Sequence, residues 1–187
     1  MNPQAQVRVQ VQIQVRAQAR TQSPRRFAAQ CRISTPLGPL TLAATAQGLA
    51  GAWFDGQAHH PGMLDAPTAA DDPHLAQAAR ELAAYFNGGA KTDVFSVPLD
   101  AQGTAFQQSV WHALRAIAAG TSSSYGSIAS ALGMPTAARA VGAAVGRNPL
   151  SIIVPCHRVL GRDGTLTGYA GGLERKQELL RLEGLLP

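Results

Sequence analysis

Two short helical patterns, over residues 125–132 and 136–145, are separated only by Gly133-Met134-Pro135. Three residues that include Gly and Pro stop a helix. They are also too few to let the next helix drift away, so the second helix must turn sharply against the first in a helix-turn-helix corner. Any αα-corner meets that spacing, so it constrains shape before function. The face of the second helix says more. At about 100° per residue, Ala138, Val141 and Val145 fall on one side and are expected to pack inward. Arg139 stands opposite, beside Thr136, Ala140, Gly142 and Ala143. A lone guanidinium among very small side chains is either simply solvated or suited to a narrow groove, where one long cation inserts and bulk would clash.

The rest of the chain organises around that corner. With 187 residues it is long enough for one ordinary domain or two small ones with a real core. Hydrophobic residues make up 45% and charged residues 14%, which excludes a disordered polyelectrolyte. No apolar run is long enough for a membrane span. Residues 1–26 alternate Gln and Arg with Val7, Val9, Val11, Ile13 and Val15, a period of two with no partner strand following at once. They read as a mobile basic tail, with an added edge strand or a transit peptide as other readings. From Cys31 onward the pattern suits a small antiparallel sheet. Thr35-Pro36-Leu37-Gly38-Pro39 is turn chemistry, and residues 40–44 and 49–54 flank a Gln47-Gly48 hairpin turn. Leu75, Leu82 and Phe86 predict a helix over 74–87, stopped by Asn87-Gly88-Gly89, and a further strand is expected at 94–98. In the second half, Phe106, Val110, Leu114 and Ile117 predict a helix over 104–118. Ser124 is the expected N-cap of the next one. Leu173, Leu179, Leu180 and Leu182 give a last helix its packing side.

Ile152-Ile153-Val154 is a β-branched run that reads as a buried strand, and it leads into Pro155-Cys156-His157-Arg158-Val159. A thiol becomes nucleophilic as the thiolate, which needs a base or a positive neighbourhood. His157, Arg158 and Arg162 supply such neighbours. On an extended segment Cys156 and His157 would point to opposite sides, so a bridging water and a direct contact both stay open. A carboxylate on the imidazole would fix its tautomer, and Glu174, Glu178 and Glu183 are candidates. With two cysteines in the chain, a disulfide scaffold is excluded. Cys31 reads as a passive thiol. His59, His60 and His74 read as solvated loop residues, and no metal is expected. Trp53 and Trp111 read as core.

Pro155-Cys156-His157-Arg158-Val159 resembles the active-site motif of the O6-alkylguanine-DNA alkyltransferases. Asn148-Pro149, Gly168-Tyr169, Gly171-Gly172 and Glu183 stand at that family's spacing from Cys156. Ser124-Tyr125-Gly126 and Ala137-Ala138-Arg139-Ala140-Val141-Gly142 resemble its DNA-binding segment, and Thr35-Pro36-Leu37-Gly38-Pro39 its N-terminal domain, so the likeness covers about 30–187.

The resemblance implies an α/β protein. A small N-terminal antiparallel sheet plus helix (27–100) precedes a mainly helical C-terminal domain (101–187) with a helix-turn-helix and a reactive-cysteine loop. It implies single-turnover transfer of the alkyl group of O6-alkylguanine, and of O4-alkylthymine as a further substrate, to Cys156. His157 would act as base through water, Glu183 would orient it, and Asn148 would hold the turn. Tyr125 would crowd the phosphate of the flipped nucleotide and help protonate the departing guanine. Arg139 would fill the gap in the duplex, on a face with Thr136, Ala140 and Ala143. Val159, Tyr169, Ala170 and Gly171 would line the guanine pocket. Ala170 stands where some relatives carry Ser, which leaves only a backbone N–H for the guanine oxygen. Double-stranded DNA carrying the lesion is the implied partner of a cytoplasmic monomer that needs no cofactor. A non-catalytic lesion binder and an unrelated Cys/His hydrolase are the competing readings.

Charge by itself is a poor guide to that partner. The net +5 hides six arginines and no acid in 1–32, three basic and seven acidic groups in 33–137, and seven and four in 138–187. Residues 33–187 therefore carry −1, and the implied salt dependence of DNA binding is modest.

Overall fold

The computed structural model describes residues 27–88, 90 and 95–187; the alternating segment 1–26 lies outside them. Strands β1 (Ala29–Ile33), β2 (Leu40–Ala44) and β3 (Leu49–Phe54) form an antiparallel meander in the order β1-β2-β3. Leu42 pairs with Cys31 on one side and Ala52 on the other. The Gln47-Gly48 turn closes with Thr45 N–H donating to the Gly48 carbonyl at 2.9 Å. All six residues of β3 are buried: Leu49, Ala52 and Phe54 join the main core, while Ala50 and Trp53 pack with Phe27 and Ala43 under Leu64 and Ala66.

Helix α1 (Pro73–Phe86) starts where Asp72 Oδ1 accepts from the N–H groups of His74 and Leu75 at 3.0 and 3.1 Å, with Pro73 needing no donor partner at its first position. Its buried face is Leu75, Ala78, Leu82 and Tyr85. The strand expected at 94–98 does not form over its described residues 95–98. What remains is an isolated bridge in which Leu49 donates to Pro98 and accepts from Asp100, both at 2.8 Å. Pro98 has no N–H to extend a ladder.

Helix α2 (Ala105–Arg115) opens with a capping box of Thr104 and Gln107 and buries Val110, Trp111 and Leu114. The Trp111 indole donates to the Ala144 carbonyl at 2.9 Å and so ties α2 to α4. Strand β4 (Ser123–Ser124) runs directly into α3 (Tyr125–Ala131), with Ser124 as its N-cap. Gly133, at φ +73°, makes the turn into α4 (Ala138–Gly146) in a conformation that an L side chain rarely adopts. Val141, Ala144 and Val145 face the core there, while Arg139, Ala140 and Ala143 are exposed.

The β-branched run 152–154 is not a strand. Leu150 and Ser151 dock on β3 instead: Ala52 N–H donates to Pro149 at 2.8 Å and Ser151 N–H donates to Ala52 at 2.9 Å. The chain then turns at Ile152, held at φ +72°, and Val154 N–H closes back on Leu150 at 2.9 Å. Local turn bonds outcompete β propensity here, and a β-branched residue in the left-handed region stores strain next to the cysteine. Cys156–Arg158 is a 3₁₀ turn, followed by β5 (Val159–Leu160), which pairs parallel with β4. Helix α5 (Leu173–Leu182) packs through Leu179, Leu180 and the buried Lys176. Leu173 and Leu182 do not join that face; as the first and last residues of the helix they overhang its ends and stay exposed.

Candidate active site around Cys156

The cysteine stands on a turn that Asn148 builds. The Asn148 amide oxygen accepts from Leu150 N–H at 3.0 Å. Its nitrogen donates to the carbonyls of Leu150 and Val154 at 3.3 and 2.8 Å, and to Cys156 Sγ at 3.1 Å. One buried side chain thus satisfies three backbone groups and contacts the sulfur. Cys156 is not on an extended segment. Pro155 accepts from Arg158 N–H at 3.0 Å, and the backbone coils. Neighbouring side chains in such a turn need not point apart.

Behind the sulfur lies a closed ionic network. His157 Nε2 meets Glu183 Oε1 at 2.9 Å. Arg158 donates Nε to Oε2 and Nη2 to Oε1 of the same carboxylate, each at 2.9 Å, and also Nη1 to the Ile117 carbonyl. All three side chains are buried. Of the three candidate acids, only Glu183 reaches His157; Glu178 pairs with Arg181 on the surface and Glu174 is exposed. Burial alone would raise the Glu183 carboxyl, but the hydrogen bonds and charge of His157 and Arg158 hold it down at about 2. Burial pushes His157 below its ordinary value, and the charges of Arg158 and Lys176 push it further against the pull of Glu183. His157 is therefore a neutral imidazole at neutral pH. Nε2 carries the proton that Glu183 accepts, which leaves Nδ1, without a hydrogen-bond partner among the described residues, as the basic atom.

Burial pushes the Cys156 thiol up, while the Asn148 hydrogen bond and the Lys176 charge draw it down. Lys176 is completely buried and donates to the carbonyls of Val159 and Thr167 at 2.5 and 2.6 Å. Desolvation lowers its ammonium to about 8, so it still carries positive charge beside the sulfur at neutral pH.

A cavity of about 580 Å³ is lined by Tyr125, Arg139, Gly142, Tyr169, Ala170 and, from the sheet half, His59; the buried Cys156 is not among its lining residues, and Tyr169, whose ring lies 6.5 Å from that of His157, stands between them. The β4–β5 pairing brings Tyr125 here. Its hydroxyl lies 3.5 Å from the Gly168 carbonyl and 3.5 Å from Thr167 Oγ1, and its ring rests on Gly142. Arg139 is exposed at the rim, while Ala140 and Ala143 lie exposed on α4 outside the cavity; α4 begins at Ala138, two residues later than expected, so Thr136 is exposed in the turn before it. Val159 is fully buried at the exit of the cysteine turn. Gly171 faces away from this cavity into a groove with Pro36 and Leu37, and a side chain there would meet the Tyr169 ring at 2.6 Å. The loop carrying Tyr169 and Ala170 is tied to the sheet by Ala58 N–H, which donates to the Ala170 carbonyl at 2.9 Å. Cys31 sits in β1, His60 packs on Trp53 and His74 lies in the first turn of α1; among the described residues they do not converge.

Sequence reasoning missed Lys176 and Tyr85. Lys176 left a readable signal, because it interrupts the apolar face of α5 three residues before Leu179. Tyr85 left none. It follows Leu82 at helical spacing and looks like one more core aromatic, yet its hydroxyl reaches Glu183 Oε1 at 2.9 Å.

Two family models match the chain: the ribonuclease-like domain of 6-O-methylguanine DNA methyltransferase over residues 32–101, and the DNA-binding domain of the same protein over 105–185. A methylated-DNA–protein-cysteine methyltransferase of Mycobacterium bovis is 48% identical over 151 residues, 81% of this chain and 89% of that protein. One from Methanosarcina acetivorans is 45% identical over 152 residues, covering 80% and 94%. Among solved structures, Mycobacterium tuberculosis OGT in complex with DNA superposes with a TM-score of 0.76 at 46% identity, covering 84% of this chain and 93% of that one.

Proposed function

The chain belongs to the 6-O-methylguanine DNA methyltransferase family, whose work is DNA repair by transfer of an alkyl group to a protein cysteine, and we propose that Cys156 is the acceptor and O6-alkylguanine in duplex DNA the donor. The observation that carries this reading is the contact of Cys156 Sγ with Asn148 Nδ2 in front of the His157–Glu183 pair. The other cysteine has no such setting.

The chemistry follows from those groups. The Cys156 proton passes through a water to His157 Nδ1, while Glu183 holds Nε2–H and accepts no proton itself. The thiolate attacks the alkyl carbon, a C–S bond forms and the C–O6 bond breaks. The guanine leaves with the electron pair and takes a proton that Tyr125 delivers. Two groups favour the step: the Lys176 charge beside the sulfur and the Asn148 amide donor on it. The product is a thioether that water does not cleave, so each molecule reacts once and no cofactor enters.

The target carbon lies inside the base stack, so the nucleotide has to be extruded at a cost of a few kcal/mol. Arg139 would enter the duplex and replace the lost stacking, and the small residues Thr136, Ala140 and Ala143 let α4 approach the minor groove. Tyr169 and the Ala170 backbone would hold the base in the cavity, with Val159 and Gly171 behind them. Residues 27–100 act in this proposal as the sheet-and-helix domain and 101–187 as the DNA-binding and acceptor domain of a cytoplasmic monomer. Arg139→Ala should slow transfer from duplex DNA at least tenfold and transfer from free O6-benzylguanine hardly at all; equal rates on duplex would remove Arg139 from this role.

The deciding experiment is incubation with a duplex containing O6-benzylguanine, followed by mass spectrometry. One benzyl group on Cys156, with no further turnover, is expected. An adduct on Cys31 overturns the assignment. Multiple turnover without label points to a hydrolase, and binding without a mass shift to a lesion binder.

A further inference from the structure

Glu183 takes its fourth hydrogen bond from the other half of the chain. Tyr85, on the last turn of α1, is completely buried, and its hydroxyl donates to Glu183 Oε1 at 2.9 Å across 98 positions of sequence. The same oxygen faces His157 Nε2 and Arg158 Nη2, and Oε2 takes Arg158 Nε. Oε1 thus takes three donors and Oε2 one, so the phenol shares a crowded oxygen with the imidazole and the guanidinium. The Tyr85 ring cannot swing away easily, because Phe86 meets it edge-on at 5.3 Å and Phe95 lies against it at 5.7 Å.

We propose that Tyr85 is a positioning residue for alkyl transfer: its hydroxyl fixes the Glu183 carboxylate and shares the oxygen that holds His157, so that helix α1 tunes the basicity of the imidazole. This rests on Cys156 and His157 acting as described above. The phenol competes with the imidazole for one oxygen, and competition is what distinguishes tuning from mere packing. Burial and the adjacent Glu183 charge push ionisation of Tyr85 far up, so it remains a donor throughout the working range. The other groups around His157 are Arg158 and Lys176, which oppose its protonation, and the buried Cys156 and Tyr169, both pushed up and neutral at neutral pH. None of them replaces a donor on Oε1. Without the Tyr85 hydroxyl, the charge on Oε1 is less neutralised, the imidazolium gains and the pKa of His157 rises. His157 then loses its base function earlier as the solution is acidified.

The test uses the full chain and Tyr85→Phe. Single-turnover transfer from an O6-benzylguanine duplex is followed from about pH 5 to about pH 9, with the adduct mapped to Cys156. The acid limb of the variant should move to higher pH by roughly half a unit or more. Reaction of Cys156 with iodoacetamide, measured without DNA, should show the same displacement. A limb that is unmoved or moves down overturns the proposal, whatever happens to the melting temperature. If Tyr85→Phe unfolds, Tyr85→Met also lacks the hydroxyl, keeps apolar volume and is judged by the same limb. A parent protein with no adduct on Cys156 refutes the earlier reading instead, before any variant is compared.

Discussion

Cys31 and Cys156 share their first physical property and differ in every later one. Both are buried, at 6% and 4% exposure, and burial pushes both thiols up. Around Cys31, on β1, the Asp72 charge raises the thiol further. Around Cys156 the Asn148 amide donates to the sulfur, Lys176 brings an ammonium, and a neutral imidazole stands ready on the next residue. Burial therefore does not separate an inert thiol from a reactive one. Polar groups held in place behind the sulfur do, and their own burial makes each of them count for more.

The largest expected effect comes from exchanging the two residues for serine. Cys156→Ser should abolish transfer while duplex binding persists, because a serine hydroxyl stays un-ionised where a thiol can ionise. Cys31→Ser should transfer at the parental rate. Asn148→Ala comes next. It removes the partners of Leu150 N–H and of the Leu150 and Val154 carbonyls as well as the donor on Sγ. A loss of roughly 2–4 kcal/mol in urea unfolding is expected, with slower reaction of Cys156 toward iodoacetamide. No comparable residue exists at Cys31 to remove.

Acid sharpens the contrast further. Glu183 is held at about 2 in the fold against an ordinary value of 4.5. A depressed carboxylate contributes stability that is complete above the unfolded value and fades as pH falls from about 4.5 to about 2. His157, also depressed, acts in the same direction from the neutral side. Unfolding free energy should drop by about 3 kcal/mol across the carboxylate window, and Glu183→Gln should flatten that part of the curve. If the curve keeps its shape in Glu183→Gln, the network contributes nothing to the difference between the two thiol regions.

The two regions were also unequally legible in sequence. Around Cys31 the strands over 40–44 and 49–54 and the helix over 74–87 followed from short apolar runs, turn chemistry, the helical spacing of Leu75, Leu82 and Phe86, and the Asn87-Gly88-Gly89 stop, which are local signals. Around Cys156 the helix boundaries followed in the same way, and Ser124 could be seen as a cap. The turn at Ile152 could not. Three β-branched residues say strand, and only the Asn148 side chain and the docking of 149–151 on β3 override them. Glu183 could not be chosen over Glu174 and Glu178 from spacing, because the choice depends on how α5 sits over the cysteine turn. Tyr85 was invisible because its partner lies 98 positions away. Backbone periodicity is written locally, whereas a catalytic network is written in contacts.

The smallest predicted effect tests the inert side of the comparison on its own. If Cys31 is a small apolar filler, its sulfur matters only through volume and polarity. Cys31→Ala should then lose about 1 kcal/mol for the vacated volume. Cys31→Ser should lose more, about 2 kcal/mol, because a buried hydroxyl beside Leu42 and the core has to find a partner. Transfer from a benzylguanine duplex should be equal in both variants and in the parent, and thiol titration of the folded protein should find Cys31 slower than Cys156. A reversed order of stability, with serine better than alanine, would mean that the site accepts a polar group after all. The two thiol regions would then differ in degree rather than in kind.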